Sequence, residues 1–408
     1  MLHRARWVLP VSAGPIAGGA VLTGPGRIVA VGPYRTLAPH LPADAPVEDH
    51  GDCAIIPALV NAHTHLELSA LKGSIGLPQP GFAAWVTELF SRGASLTPEQ
   101  IEQGFARGCA EALDSGTALC GDITNGRFAP ARPGAALRRQ VFLELLGFDC
   151  ATLEAALESS AHRGLDAAFE DSFVSVCAHA AYSASPEVIR QAKDWSGARG
   201  RPFSIHTAEH PEETEFLSTG GGFCRALLER LGRWDPRWNP PGVSPVRYLD
   251  GLGVLDASTL LVHAVHLSGA DWDIVSARGC RVCFCPRSNR NLNAGSPQIG
   301  RALALGVAAA LGTDSLASNT GVDLFAEAAF VLENHPDVTA ASALRMITLG
   351  GAEALGQSAS YGSIEPGKAP ALLAVHLPEN TAETSLVETL VQQGNKGAFE
   401  WINRPEKS

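Results

Sequence analysis

The sequence predicts an α/β protein: a (β/α)8 barrel beside a small β domain drawn from both chain ends. Three observations predict it. Eight short, near-continuous apolar runs alternate with helical stretches between residues 53 and 315, as in a parallel sheet covered by helices. Nearly every run stays apolar until its end and then delivers a polar or ionisable residue, the habit of a barrel with its site at the C-terminal face. Further short strand-like runs lie before and after this block.

The order of elements begins with Arg4, Arg6 and WVLPVSAGPIAGGAVL, which imitates a signal peptide. Pro10, Pro15 and the glycines interrupt the apolar stretch, and GAVLTGPGRIVAVGP reads instead as a hairpin around Gly-Pro-Gly. The eight barrel runs are CAIIPALVNAHTH (53–65), TALCGDI (117–123), RQVFLELLG (139–147), FVSVCAHAAYS (173–183), PFSIHTAE (202–209), TLLVHAVHL (259–267), RVCFCPRSN (281–289) and VAAALGTDS (307–315). Between them, Thr97-Pro98-Glu99 and Ser185-Pro186-Glu187 are helix starts. After the first start, Ile101, Phe105, Cys109 and Leu113 recur every four residues until Gly116. YGSIEPGKAPALLAVHL (361–377) adds a turn and a strand. The domain bounds expected are 1–57 plus 358–408 for the composite β domain and 58–357 for the barrel.

Composition narrows the function. The chain has 408 residues, 45% of them apolar and 18% charged, and a net charge of −11. That is too apolar for disorder. The acidic balance without a basic run disfavours nucleic acid. No run of 18 uninterrupted apolar residues suggests a membrane span. Nine scattered cysteines read as reduced thiols in a cytoplasm.

The run ends supply His63 and His65, Asp122, Glu144, His179, His206 with Glu209, His263 with His266, Ser288 with Asn289, and Asp314. His63-x-His65 places two imidazoles on one strand face. With His206 and Asp314 they form a set suited to one Zn²⁺, or to Fe²⁺, which the same donors serve. Other chemistries fit less well. His65-Leu-Glu67 matches half of a zinc deaminase signature, but no Pro-Cys-x-x-Cys follows. Cys283-Phe-Cys285-Pro286 reads as alternating faces of strand 7, and no Gly-x-Ser-x-Gly elbow is present.

The ordered segments PALVNAHTHLELS, HAAYS, HTAEHPEE, VHAVHL, CPRSN, LGTDSLASN and GSIEPGKAP resemble the amidohydrolase superfamily, in its branch of nucleobase and nucleoside deaminases and chlorohydrolases. HTHLELS with LGTDSLASN is most similar to the aminodeoxyfutalosine deaminases. The resemblance implies a barrel beside a β-sandwich built from both termini. It implies one divalent cation on His63, His65, His206 and Asp314. Binuclear relatives use a strand-4 lysine, and none of the five lysines here closes a strand.

By the same resemblance Asp314 accepts a proton from water and Glu209 protonates the ring nitrogen of an aromatic substrate. His263 orients the attacking oxygen and stabilises the tetrahedral intermediate, and His179 bonds the substrate. Glu67, Trp85 and Arg290 are further pocket candidates; His210 and His266 are read as bystanders. Ala181 and Ala264 depart from the family's usual Pro and Cys without touching a ligand.

The expected activity is removal of the 6-amino group of an adenine nucleoside as ammonia. Aminodeoxyfutalosine, an adenine-bearing intermediate of an alternative menaquinone route, is the favoured substrate. The alternatives are S-adenosylhomocysteine or methylthioadenosine, guanine or cytosine deaminases, a triazine chlorohydrolase, and a barrel retained only as a binding protein. The partners expected are the amino-purine and a second copy in a homodimer, with neither nucleic acid nor membrane.

Overall fold

In a computed structural model of the chain, residues 1–42, 45–125, 137–159 and 173–404 are described. Two four-stranded parallel sheets carry the barrel strands. Strands 1 to 4 are Leu59–Thr64, Thr117–Thr124, Arg138–Leu145 and Val174–Ala178; strands 5 to 8 are Phe203–Thr207, Thr259–His263, Arg281–Phe284 and Ala308–Leu311. The sheets meet at two seams. On one side His206 N–H donates to the His179 carbonyl (2.9 Å), beside a parallel bridge between Ala180 and His206. On the other, Thr313 and Asp314 N–H both reach the His63 carbonyl at 3.1 Å. The whole is an α/β barrel of the TIM type.

Alternation along the strands divides the core. Val60, Ala62, Leu119, Phe142, Cys177, Leu260, Val262, Cys283 and Ala310 cluster together. Their neighbours Leu59, Ala118, Val141, Val176, Ile205, Leu261, Val282 and Leu311 pack in a second cluster that includes helix residues such as Val188, Ile189 and Trp272. Each fully buried large apolar side chain contributes roughly 1.5–3 kcal/mol.

The helix starts hold as expected. Thr97 forms a capping box with Gln100 before Pro98–Asp114, and Ser185 accepts from Val188 N before Pro186–Gly197. Ile101 and Leu113 are buried along the first of these, and Gly116 takes φ +88° just past its end.

Two expected runs are corrected. Residues 53–65 form two strands: Cys53–Pro57 pairs antiparallel with Leu372–His376, and only Leu59–Thr64 enters the barrel. Residues 281–289 are strand only to Phe284; Pro286 then opens the helix Pro286–Asn291. Pro is favoured in a helix's first turn and cannot donate to a ladder.

Both chain ends contribute to one five-stranded sheet: Phe399–Trp401, Leu372–His376, Cys53–Pro57, Trp7–Val8 and Ile16–Ala17, in that order. A second sheet holds Arg27–Pro33, Gly19–Gly24, Leu2–Arg4 and Val47–Asp49. The first two are the expected hairpin. Val21 and Ile28 of this sheet share an apolar cluster with Val8, Ile55 and Ala374 of the other. The helix Leu386–Asn395 buries Leu386, Leu390 and Val391 in the same cluster as the barrel's outer core. Among the described residues no helix is long and apolar enough to cross a membrane.

Candidate active site

Strand 1 loses regular register between Asn61 and Thr64, where it pairs with strand 2. Such irregularities re-aim side chains near sites. Here the chain delivers His63 and, one residue past the strand, His65, with ring centroids 4.9 Å apart at 85°. His206 closes on them from strand 5, its ring 4.9 Å from His63 and 5.5 Å from His65. Asp314 arrives after strand 8 with Oδ1 3.7 Å from both His63 Nε2 and His65 Nε2.

The backbone that presents these groups is unusual. Ala208, His263, Ala264 and Asp314 all take positive φ, between +49° and +74°. Such conformations cost of order 1–3 kcal/mol each for residues with a side chain and gather at functional sites. Close packing lies behind them. A Cβ on Gly312 would meet Cys283 Sγ and the His63 carbonyl at 2.8 Å and His63 Cβ at 2.9 Å, so glycine is required between strand 8 and strand 1.

The donor set fits a divalent cation. His206 Nδ1 sits 2.9 Å from the His179 carbonyl; donating there leaves Nε2 with a lone pair toward the cluster, the usual second support of a ligating histidine. His63 is fully buried and neither ring nitrogen has a hydrogen-bond partner among the described residues. A buried imidazole left so is costly unless something else satisfies it. Asp314 Oδ2 accepts from Ser288 Oγ (2.6 Å) and Ser318 Oγ (2.7 Å), leaving Oδ1 to face the histidines. Burial alone would raise the Asp314 pKa, but the surrounding His63, His263 and His65 hold it well below the ordinary carboxylate range. Burial drives His65 down to about 3, reinforced by His63. The ring is therefore a neutral donor at pH 7.

Glu209 and His263 complete the cluster. Ligand atoms of Glu209, His263 and Asp314 lie within 4.8 Å of one another, as do those of His63, His65 and His206. His263 Nε2 is 3.6 Å from Glu209 Oε1, and Asn289 Nδ2 lies 3.1 Å from His263 Nδ1. An amide donating to Nδ1 fixes the ring proton on Nε2, facing Glu209. Burial, then the charges of Asp314, Glu213 and Glu212, raise the Glu209 pKa well above its ordinary value. The shift favours the protonated carboxyl. Its backbone N–H donates to Glu213 Oε2 at 3.3 Å. His179 sits beside them, its Nδ1 2.6 Å from Ser183 Oγ and its Nε2 4.0 Å from Glu144 Oε1.

The other candidates have partners of their own. Glu67 is buried; it accepts from Thr124 Oγ1 (3.0 Å) and Asn125 Nδ2 (2.8 Å), and Asn125 also donates to Glu144. Glu67 thus joins Glu144 through Asn125. Trp85 donates its indole N–H to the Ala317 carbonyl at 2.9 Å. Arg290 is exposed, its guanidinium 4.5 Å from the centre of the Phe330 ring. Asp122 ends strand 2 but is bound by Arg139 at 2.6 Å and by Leu66 N–H, a structural role. His210 stacks on Phe82 at 3.5 Å, and His266 bonds the Ala294 carbonyl. Ser318, Ser183 and Glu213 carry no signal in the sequence, whereas Ser288 and Asn289 stand out there only as polar residues at a run's end.

The amidohydrolase family profile matches residues 54–398. The chain belongs to the amidohydrolase family. Among this amidohydrolase's relatives, a 5-methylthioadenosine/S-adenosylhomocysteine deaminase of Nitratidesulfovibrio vulgaris is 32% identical over 386 residues, covering 89% of this chain and 80% of that one. An aminodeoxyfutalosine deaminase of Deinococcus radiodurans is 32% identical over 362 residues, covering 83% of each. Of solved structures, a zinc-bound adenosine deaminase of Xanthomonas campestris is 26% identical with a TM-score of 0.78, covering 95% of this chain and 88% of that one. The fold is shared with Helicobacter pylori aminofutalosine deaminase in complex with methylthio-coformycin, at 23% identity, a TM-score of 0.83 and 96% of each chain.

Proposed function

We propose that this amidohydrolase hydrolyses the 6-amino group of an adenine nucleoside, with aminodeoxyfutalosine as substrate and Zn²⁺ as cation on His63, His65, His206 and Asp314. The observation that carries the reading is the convergence of buried Glu209, His263 and Asp314 beside three imidazoles. The names borne by relatives about one third identical over most of the chain support it. They include methylthioadenosine/S-adenosylhomocysteine deaminases as well as an aminodeoxyfutalosine deaminase, so the 6-aminopurine is common ground and the remainder of the nucleoside is the finer choice.

A divalent cation, when bound, supplies Lewis acidity that lowers the pKa of a coordinated water toward about 7. The chain's own groups handle the protons. Glu209 donates to the ring nitrogen next to the reacting carbon, which makes that carbon electron-poor. Asp314, held by Ser288 and Ser318, takes the proton that water gives up as its oxygen bonds to carbon. His263, with its proton on Nε2, donates to the oxygen that carries developing charge. Collapse breaks the C–N bond: the 6-amino group takes the proton held by Asp314 and leaves as ammonia, the C6 hydroxyl gives its proton back to Glu209, and the purine keeps the ring N–H and the oxygen at C6. His179, held by Ser183, is placed to bond the substrate.

The composite sheets are read as a β-sandwich of residues 1–57 with 358–408, on the apolar cluster they share. The nine free thiols favour a cytoplasmic setting. Ammonia release from a panel of aminodeoxyfutalosine, methylthioadenosine, S-adenosylhomocysteine, adenosine, guanine, cytosine and a chlorotriazine tests the reading. The highest kcat/KM is expected for aminodeoxyfutalosine. A higher value for another adenine nucleoside overturns that choice alone; turnover of guanine, cytosine or the triazine only overturns the adenine reading.

A further inference from the structure

Outside the barrel, a second set of metal-type donors meets in the sheet Arg27–Pro33, Gly19–Gly24, Leu2–Arg4, Val47–Asp49. Strand Leu2–Arg4 pairs in parallel with Val47–Asp49, and the register sets His3 directly opposite Glu48. His50 follows two residues after Glu48, the spacing that returns a side chain to the same face of an extended chain. The three side chains converge. His3 Nδ1 is 3.1 Å from Glu48 Oε2 and 3.4 Å from His50 Nε2; His50 Nε2 is 3.9 Å from Glu48 Oε2. A tetrahedral zinc site with bonds of about 2.0–2.1 Å has donor–donor edges of roughly 3.3–3.4 Å. The observed edges straddle that value.

The surroundings orient these donors toward one another. Thr23 Oγ1 donates to the Met1 carbonyl (3.2 Å) and lies 3.3 Å from His3 Nε2. A hydroxyl already donating accepts from Nε2–H, which leaves the His3 Nδ1 lone pair pointing at the Glu48 carboxylate and at His50. Two lone pairs 3.1 Å apart need a positive charge between them, either a proton or a metal ion. On the far side of His50, Glu400 Oε1 is 4.0 Å from Nδ1, near enough to attract it electrostatically though not to hydrogen-bond it. The rings of His3 and His50 are nearly covered, whereas Glu48 is half-exposed, so the site is preorganised by its imidazoles and open to solvent at the carboxylate.

We propose that His3, Glu48 and His50 form a second, non-catalytic zinc site, completed by water, which clips the edge strand Val47–Asp49 onto Leu2–Arg4. Its donors are two nitrogens and one oxygen, the chemistry of a borderline divalent cation rather than Ca²⁺ or Mg²⁺. The site is independent of the deaminase reading, since it shares no residue with the barrel cluster.

The test is a zinc titration of the full-length protein against a chromophoric competitor, after the barrel site has been filled. One further equivalent is expected to bind at micromolar zinc, and to slow amide exchange across Val47–Asp49. Glu48→Gln, at a half-exposed position, and His50→Ala should each remove that equivalent while turnover stays at the wild-type level. His206→Ala, which cripples the barrel cluster, should retain it. Absence of a further equivalent at micromolar zinc overturns the proposal and identifies the bridging charge as a proton. So does equal uptake by Glu48→Gln, or a further equivalent that lowers turnover and disappears in His206→Ala, which would place the ion in the barrel.

Discussion

Replacing Glu209 with Gln removes one proton and little else. Glu209 is 6% exposed, and Gln fills the same volume, so no cavity forms. Its backbone N–H still reaches Glu213 Oε2. It belongs to none of the four groups assigned to the cation, so metal content should stay at the wild-type level. What is lost is the acid 3.6 Å from His263 Nε2. A positioned general acid contributes roughly 10²–10⁴-fold, or about 2.7–5.4 kcal/mol at 1.36 kcal/mol per tenfold. Steady-state kcat on the 6-amino nucleoside should fall by that factor. A 6-chloropurine nucleoside, whose leaving group needs no proton but whose ring nitrogen still does, should fall by a similar factor. The wild-type kcat/KM should also decline on the alkaline side as Glu209 ionises, and that limb should vanish in Glu209→Gln. Wild-type-like turnover at unchanged metal occupancy would refute the assignment. Loss of metal alongside the loss of turnover would show that Glu209 serves the site's architecture instead.

Other consequences can be measured directly. Ser288→Ala with Ser318→Ala frees Asp314 Oδ2 of both donors; loss of such support typically weakens metal affinity about 10–100-fold, readable by chelator competition, and an unchanged affinity would discount the two hydroxyls. Gly312→Ala drives a methyl against Cys283 and the His63 backbone; overpacking of this kind costs about 1–3 kcal/mol, and denaturant unfolding should show it together with reduced metal content. Glu213 is fully buried, and burial raises it to about 8 from an ordinary 4.5. The folded state then holds a proton that the unfolded state releases, so stability falls as pH rises from about 4.5 to 8, by up to about 1.4 kcal/mol per unit. Glu213→Gln should therefore gain thermal stability over wild type at pH 8.5 and not at pH 4, and a pH-independent difference would contradict the burial argument.

Much of the barrel is legible in the sequence because its strands are buried on both faces and read as unbroken apolar runs. The same property hides boundaries. Cys53–Pro57 and Leu59–Thr64 are equally buried, so nothing in the pattern marks the passage from one sheet to the next. The cluster of His63, His65, His206 and Asp314 is legible because ionisable residues at the ends of apolar strands have little other use. Asp122 shows the limit: it ends a strand as the ligands do, yet its partner is Arg139, 17 residues away, and only the structure distinguishes a neutralised carboxylate from a reactive one. Ser318 and Glu213 are invisible for the converse reason, being ordinary polar residues until a loop folds against Asp314 or a helix against Glu209. His3 and His50 are 47 residues apart, and only strand register joins them.

The two seams of the barrel give the proposed ligand set a mechanical meaning. His63 and His65 belong to the half formed by strands 1 to 4, whereas His206 and Asp314 belong to the half formed by strands 5 to 8. The carbonyls that stitch the halves together are those of His63 and His179, residues of the site itself. An ion gripped by all four side chains is therefore a rivet between two leaves, and the stiffness of the barrel mouth and the occupancy of its centre become one property.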